Sequence, residues 1–243
     1  MLNEALGAAD RPRSAADQTH RLQETLYDAI VEQRLPPGTK LSEADVGAAF
    51  QVSRTITRRA LHSLAHAGIV TIERNRGAFV ARPDPEEARQ VFAARRTVEP
   101  ELARRAARNC TKADLARLRK HIEAEAAALK RGDRRAAIRL SGDFHVRIAE
   151  AARNEVLARF LRDLTARTSL IVALYGRSRV SACGVDEHRE LYDLLSRHDE
   201  KGAPAAMLHH LEHIEADLDL GDAVEEAVDL TAILRSVADA RAG

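Results

Sequence analysis

The sequence predicts a mainly α-helical protein of two domains, an N-terminal domain with a small β-hairpin and a C-terminal all-α bundle. The chain has 243 residues, which is enough for two small domains. Ala, Leu, Arg and Glu are abundant and favour helix, whereas an aromatic content of 3%, without any Trp, disfavours a β-sandwich. One hairpin pattern lies before residue 82, and every later segment has the apolar period of a helix.

The composition and the start of the chain exclude several classes of protein. With 45% hydrophobic and 31% charged residues, the chain is an ordinary globular one. No run approaches the roughly 18 uncharged apolar residues of a membrane helix, and Asp10 and Arg11 stand where a signal peptide has its apolar stretch. Cys110 and Cys183 lack the spacing of a zinc ribbon. We therefore expect a cytoplasmic protein with no membrane partner.

The chain is predicted to begin with a disordered arm over residues 1–18, which show no apolar period and contain Gly and Pro. Order is expected from Thr19. A first helix follows, since apolar residues recur on one helical face, and Pro36-Pro37-Gly38 ends it. The apolar positions of this helix are Leu22, Leu26, Ala29 and Ile30.

Two short helices with a tight turn between them are predicted next. Ser42, with Asp45 three residues later, has the pattern of a capping box at the start of a helix. Ser53 is a good N-cap for a third helix, and only two residues separate it from the second one. The third helix has its apolar stripe at Ile56, Ala60, Leu61 and Leu64. This pair is a candidate helix-turn-helix.

A β-hairpin follows the third helix. The segments 69–73 and 78–81 are rich in strand-forming residues, and they flank Arg74-Asn75-Arg76-Gly77, which has the chemistry of a hairpin turn. The order of three helices and a hairpin predicts a winged helix-turn-helix domain over residues 19–82.

The second domain is predicted to be helical throughout. Two prolines and an Asp make residues 83–85 a linker, and residues 86–243 are expected to form a helical bundle. Gly and Asn residues stop its helices. The predicted segments are about 85–108, 112–131, 133–152, 154–174, 186–200, 204–219 and 222–240.

Charge is distributed unevenly along the chain. Residues 51–82 contain six Arg against one acid, a net +5, whereas residues 205–243 contain nine acids against two Arg, a net −7. The basic block coincides with the predicted third helix and hairpin. Its position indicates that this part of the chain faces a polyanion.

The third helix and the hairpin carry side chains suited to double-stranded DNA. Arg54 and Arg58 are four residues apart, so both project from one helical face, and Arg can donate two hydrogen bonds to guanine in the major groove. Ser and Thr at the start of the helix can hold phosphate, and Arg at the hairpin tip can enter the minor groove. The alternative is that these Arg residues simply solvate a surface helix. The candidates are Ser53, Arg54, Thr55, Arg58, Arg59, Arg74 and Arg76, with Thr57 beside them.

Residues 20–81 resemble the N-terminal domain of the GntR family of bacterial transcription regulators. The matching segments are Leu35-Pro-Pro-Gly-Thr-Lys-Leu-Ser-Glu43, Val52-Ser-Arg-Thr55, Arg58, Ala60-Leu61, Leu64 and Gly68-Ile-Val70. The resemblance implies DNA contacts from Arg54, Arg58 and the wing around Arg76 and Gly77, and a role for Glu43 in the helix-turn-helix geometry. The departures are Gln51, Ile56, Thr57 and Arg59, where the family usually has Gly, Pro, Val and Glu.

Three histidines lie on three different predicted helices of the bundle. If His145, His188 and His210 converge, their imidazoles make a divalent-metal site with a position open to water or an anion. The spacing alone does not bring them together, and a single His on an amphipathic helix is commonly a satisfied or exposed residue. His209 and His213 are assigned to surface or interface roles.

Residues 86–219 look like the effector domain of the FadR subfamily of GntR regulators. The similar segments are Arg95-Arg-Thr-Val-Glu99, Phe144-His145 with Ala149-Glu150 and Asn154, Glu187-His188 and Met207-Leu-His-His210. In many members three His residues, and an Asp four residues before the first of them, bind a metal. The resemblance implies zinc or nickel on His145, His188 and His210, with Ser141 at the position of the Asp.

Ser141 makes the metal uncertain, because a neutral hydroxyl is a poor zinc ligand. Three His residues without a carboxylate leave a 2+ charge uncompensated, which a small carboxylate effector would neutralise. The effector-binding candidates are therefore Ser141 and Arg95, whose planar fork matches a carboxylate if it faces inward. The alternative for Arg95 is a surface ion pair with Glu99.

Three functions follow. The first is a ligand-responsive transcription regulator, a repressor, that binds a pseudo-palindromic operator as a homodimer and is not an enzyme. The second is a constitutive DNA-binding dimer without a working metal site. The third is a three-His metal hydrolase, which lacks an evident general base.

Overall fold

The computed structural model describes residues 14–177 and 182–220. Residues 1–13 of the predicted arm and the predicted helix 222–240 lie outside the described residues. The first helix starts at Ala15 rather than near Thr19, because the hydroxyl of Ser14 caps it by accepting a hydrogen bond from the backbone N–H of Asp17 at 3.1 Å. The arm predicted for residues 1–18 is therefore too long at its C-terminal end.

The N-terminal domain has the predicted winged helix-turn-helix order, with one strand more than the sequence indicated. That strand has two residues and is too short to show an alternating pattern. It pairs with the last strand of the hairpin, which therefore lies in the middle of a three-stranded antiparallel sheet. The elements are α1 (Ala15–Val31), β1 (Lys40–Leu41), α2 (Glu43–Phe50), α3 (Arg54–His66), β2 (Val70–Glu73) and β3 (Gly77–Val80).

The turn between α2 and α3 is short because both helix ends are capped. Gln51 has a left-handed backbone with φ +54° and ends α2. Ser53 then accepts a hydrogen bond from the N–H of Ile56 and starts α3. The apolar stripe predicted for α3 is buried in the core of this domain. α3 therefore has one face buried in this domain and the opposite face exposed.

The C-terminal domain is helical, as predicted. Asp84 caps its first helix, which starts at Pro85, so the linker predicted at 83–85 ends one residue earlier. The fifth helix starts inside the segment predicted as a loop before residue 186. Among the described helices, none is long and apolar enough to cross a bilayer. The helices are α4 (Pro85–Asn109), α5 (Lys112–Lys130), α6 (Arg134–Ala151), α7 (Glu155–Tyr175), α8 (Ala182–Ser196) and α9 (Gly202–Ala216).

The two domains share a packed seam along α7. Ala166 and Leu170 of α7 are buried in the same apolar cluster as the core of the N-terminal domain. The hydroxyl of Tyr175 donates a hydrogen bond to the carbonyl of Pro83 at 3.0 Å, which attaches the linker to the bundle. Arg139 of α6 forms an ion pair with Glu32, just beyond α1, at 3.1 Å. The interior of the bundle therefore lies directly beside the N-terminal domain.

Candidate DNA-binding face and effector site

The exposed face of α3 carries most of the predicted DNA-contacting residues. Ser53, Arg54, Thr55, Arg58 and Arg59 are all exposed, and the last four line a shallow surface groove together with His62. No ion pair of Arg54 or Arg59 lies within the described part of the chain. Both guanidinium groups are therefore available to phosphates or base edges.

Thr57 does not belong to this face. Its side chain is fully buried, and its hydroxyl donates a hydrogen bond to the backbone carbonyl of Ser53 at 3.2 Å. The placement of Thr57 beside the DNA-contacting residues was wrong, because position 57 lies on the same side of α3 as Ile56, Ala60 and Leu61.

Arg58 is held by a carboxylate from α2. Its Nε and Nη2 donate to the two carboxylate oxygens of Glu43 at 2.8 and 3.0 Å. These hydrogen bonds, together with the charges of Arg58 and Arg54, keep the pKa of Glu43 below its usual value against the opposing effect of burial. The pair connects the two helices of the helix-turn-helix and orients the Arg58 guanidinium at the surface.

The wing presents Arg74 and Gly77 at an exposed tip. Asn75 (φ +62°) and Gly77 (φ +103°) supply the left-handed backbone that the turn requires. Arg76 forms an ion pair with Glu73, and its guanidinium carbon lies 5.3 Å from the centre of the Phe79 ring. Of the two tip arginines, Arg74 extends into solvent while Arg76 lies along the hairpin.

The three histidines converge inside the bundle. His145 on α6, His188 on α8 and His210 on α9 are each at most 2% exposed. The Nε2 atom of His210 lies 3.2 Å from Nε2 of His188 and 3.2 Å from Nε2 of His145. Among the described residues these three form the one group with metal-ligand geometry.

Each of these histidines has a glutamate on its other ring nitrogen. The Nδ1 atoms of His145, His188 and His210 lie 2.6, 2.8 and 2.6 Å from carboxylate oxygens. The expectation that a bound metal would lack carboxylate compensation is therefore wrong, because three acids surround the ligands at one remove. The respective partners are Glu99 on α4, Glu125 on α5 and Glu187 on α8.

Each glutamate in turn has a further partner. The Nε of Arg95 donates to Glu99 at 2.5 Å, and Nδ1 of His213 lies 2.5 Å from Glu187. Ser141 lines the same cavity as Glu125, and its hydroxyl helps to lower the pKa of Glu125 against the larger effect of burial. Hydrogen-bonding groups thus lead outward from His145 and His210, and His213 belongs to them rather than having only a surface role.

Burial keeps His145 and His188 neutral. It lowers the pKa of His145 to about 3 and that of His188 well below its ordinary value. A neutral imidazole whose Nδ1–H donates to a carboxylate presents the lone pair of Nε2. Burial raises the pKa of Glu125 to about 7, whereas at Glu99 the charge of Arg95 and the hydrogen bonds from His145 and Arg95 outweigh burial and lower its pKa to about 2.

These residues fit a divalent metal. Zinc–nitrogen bonds of 2.0 to 2.1 Å in a tetrahedral site place two nitrogens about 3.3 Å apart, close to the 3.2 Å separations of the Nε2 atoms. Three neighbouring lone pairs repel one another unless a cation lies between them, and the carboxylates on Nδ1 are the usual supports of metal-bound imidazoles. The donor set therefore suits zinc or nickel.

Arg95 faces the interior and is ion-paired at the same time. It is 1% exposed, as is Glu99, so the alternative of a surface pair is wrong. Its Nη1 donates to the hydroxyl of Thr168 at 3.3 Å, while its buried Nη2 has no hydrogen-bond partner within the described residues. A buried donor without a partner is costly, and a bound anion would satisfy it.

A cavity of about 150 Å³ joins these groups. By a comparable measure, a cavity of this size accepts a molecule as large as benzene. Two of the lining residues, Tyr27 and Val31, come from α1 of the N-terminal domain, and the others come from the bundle. The lining residues from the bundle include Arg95, Ser141, His145, His210, Thr165 and Ser169.

Sequence reasoning missed the glutamates. Glu99 and Glu187 lie in segments that resembled the FadR subfamily, and a carboxylate near each candidate ligand could have been sought there. Glu125 gave no local signal, because it sits in an Ala-rich helix and reaches His188 only through the packing of α5 on α8.

The fold and the site define a DNA-binding regulator with a helical ligand-binding domain, and comparison with known proteins agrees. Residues 18–80 match the bacterial regulatory proteins of the gntR family, and residues 90–213 match the FCD domain. The chain belongs to the GntR family and carries an FCD domain, which fits the FadR subfamily. It is a transcription regulator and not an enzyme, so the hydrolase hypothesis is wrong.

Named relatives match this chain over most of their own length. The chain is 26% identical to the HTH-type transcriptional repressor RspR of Escherichia coli strain K12, over 76% of this chain and 82% of the relative. It is 28% identical to the galactonate operon transcriptional repressor of the same strain, over 79% and 93%. A solved structure of a GntR transcriptional regulator from Rhodococcus sp. RHA1 has a TM-score of 0.73 at 26% identity, covering 82% of this chain and 96% of that one. E. coli McbR/YncC shares the fold, with a TM-score of 0.75 at 19% identity, over 82% and 95%.

Proposed function

We propose that this protein is a ligand-responsive repressor that binds a pseudo-palindromic operator as a homodimer in the bacterial cytoplasm. Its effector is a small carboxylate, bound in the cavity beside a divalent metal. The buried Nη2 of Arg95, which has no hydrogen-bond partner among residues 14–177 and 182–220, carries the proposal. The names of two relatives, RspR and the galactonate operon repressor, support repression.

We expect a dimer because the DNA-contacting surface of one chain is small. One recognition helix contacts too few base pairs for genomic specificity, and a twofold pair of helices reads two half-sites. The DNA-contacting residues proposed are Ser53, Arg54, Thr55, Arg58, Arg59, Arg74, Arg76 and Gly77.

His145, His188 and His210 would hold the metal through Nε2. The metal supplies a positive charge that attracts an anionic ligand. Arg95 offers the N–H groups of Nη2 to a carboxylate oxygen, and the hydroxyl of Ser141 lines the cavity nearby. The small volume favours an acid of few carbon atoms.

Effector binding would reach the DNA-binding domain through α7 and α1. Thr165 and Ser169 of α7 line the cavity, and Ala166 between them packs in the core of the N-terminal domain. Tyr27 and Val31 of α1 line the same cavity. A ligand that shifts α7 or α1 therefore changes the placement of α3, and by linkage operator DNA weakens effector binding to the same extent.

The test is a thermal-shift titration of zinc-loaded protein with L-lactate, malonate and D-galactonate, followed by operator binding with the acid that stabilises. The operator is first selected from genomic fragments. We expect Arg95→Lys, which retains a cation for Glu99 but loses the planar fork, to weaken binding of the acid at least tenfold. Equal binding by the variant would contradict the proposed anchor.

A constitutive DNA-binding dimer without a working metal site stays a second candidate, because the neutral hydroxyl of Ser141 is a poor zinc ligand. It predicts no stoichiometric zinc or nickel in purified protein and no thermal shift on adding either metal, which elemental analysis and calorimetry decide.

A further inference from the structure

The three glutamates behind the histidines differ in their own neighbours. Glu99 is supported by a guanidinium and Glu187 by a second imidazole, both of which can carry positive charge. The neighbour of Glu125 in the cavity is Ser141, whose hydroxyl is neutral. Glu125 is 3% exposed and its Oε2 lies 2.8 Å from Nδ1 of His188.

Ser141 and Glu125 are chemically complementary. Both line the cavity, from α6 and α5 respectively, and the two helices pack against each other. A hydroxyl can donate a hydrogen bond to the Glu125 carboxylate, whereas a carboxylate at position 141 would place two buried acids side by side and repel it. The residue at 141 therefore determines whether Glu125 can stay on His188.

We infer that Glu125 is a positioning residue for the metal ligand His188, and that Ser141 holds Glu125 in place rather than marking a lost ligand position. The inference rests on the proposed metal site. Glu125 accepts a hydrogen bond from the Nδ1–H group of His188, which fixes the ring orientation and directs Nε2 toward His210 and His145. Three imidazoles with this support then bind the metal without a fourth side chain.

The test measures zinc affinity of the full-length protein by competition with a chromophoric chelator. We expect Glu125→Gln to weaken zinc binding 10- to 100-fold, the usual effect of removing a group that supports a metal ligand. Glu123→Gln is the matched control, because Glu123 lies on the same helix with 70% of its side chain exposed, and it leaves the affinity unchanged. Circular dichroism and melting of the metal-free proteins confirm that the variants fold.

Substitutions at position 141 test whether Ser141 holds Glu125 in place. Ser141→Thr retains the hydroxyl and the affinity, Ser141→Ala weakens zinc binding, and Ser141→Ala adds little further loss in the Glu125→Gln background because the two residues act as a unit. The visible absorption of the cobalt-loaded protein reports ligand geometry independently of stability. It should change with Glu125→Gln and with Ser141→Ala, and not with Glu123→Gln.

The outcomes separate the inference from the proposed function. If the wild type and His188→Ala bind equally little zinc, the metal site itself is refuted and the inference with it. If the wild type binds zinc and Glu125→Gln binds it equally well, the inference alone is overturned. A tenfold or larger gain with Ser141→Asp would show that position 141 is a vacant ligand position after all.

Discussion

Arg167 on α7 donates a hydrogen bond from Nε to the backbone carbonyl of Ala67, at 3.2 Å, where the recognition helix ends. The neighbouring residues of α7 line the effector cavity. One helix therefore lines the proposed ligand site and also holds the end of α3. A variant of Arg167 should change the second of these contacts.

Replacing Arg167 should uncouple the two domains. The Arg167→Ala variant loses the hydrogen bond to α3, so a change in the cavity is transmitted less well. We expect the ratio of operator Kd values with and without effector to fall toward one, a loss of about 1 to 3 kcal/mol of coupling free energy. Fluorescence anisotropy measures it. Arg162→Ala, an exposed position on the same helix, should keep the full ratio, and an unchanged ratio in Arg167→Ala would refute this route.

Gly68 should not tolerate a side chain. It has φ +76°, and an added Cβ would lie 2.2 Å from Nη2 of Arg167. We expect Gly68→Ala to lower the free energy of unfolding by about 1 to 2 kcal/mol through the left-handed backbone alone, with a further loss from displacing Arg167. Urea denaturation measures both contributions, because the second should disappear in the Arg167→Ala background. A purely additive double variant would mean that Arg167 moves aside without cost.

The arginines of α3 should differ in what they contribute to operator binding. Arg59→Ala is expected to weaken binding to all sequences and to reduce the slope of log K against log salt by about 1, as for a phosphate contact. Arg58, which Glu43 orients, should read a base: Arg58→Ala costs about 1 to 3 kcal/mol on the operator and relaxes specificity at one position. Arg119→Ala, an exposed position on α5, is the control. Salt-independent binding by the wild type would exclude the phosphate contacts altogether.

The buried pair of Arg95 and Glu99 should be sensitive to the loss of one member. Arg95→Ala leaves the Glu99 carboxylate buried beside His145 without its guanidinium, which is expected to cost about 3 to 5 kcal/mol of stability. Arg95→Met combined with Glu99→Gln removes both charges and should be markedly more stable than Arg95→Ala. Thermal and urea unfolding of the metal-free proteins compare the two. Equal stability would indicate that Glu99 finds another partner.

Local rules account for most of the fold. The caps at Ser42 and Ser53 and the apolar stripe of α3 are set by residues within one or two turns of one another, and the structure confirms them. The start of α1 was misplaced because the cap at Ser14 lies in a segment without apolar period. β1 was missed because it exists only through pairing with β3.

The site was predictable only in part. The three histidines were selected by resemblance, since their positions in the sequence do not bring them together. Their glutamates come from α4, α5 and α8, and a contact between side chains 46 or 63 residues apart in the chain leaves no periodic signal. Arg95 was predicted either to face inward or to pair with Glu99, and it does both because the pair itself is buried.

The hydrogen bond from Tyr175 to Pro83 fastens the linker to the bundle. Together with the packing of α7 in the core of the N-terminal domain, it restricts independent movement of that domain. In the proposed dimer, the distance between the two recognition helices is then set by the protein and its effector rather than by the DNA. Inserting a single base pair between the half-sites moves them apart by about 3.4 Å and rotates one around the axis. Two rigidly held DNA-binding domains cannot contact both half-sites after this change.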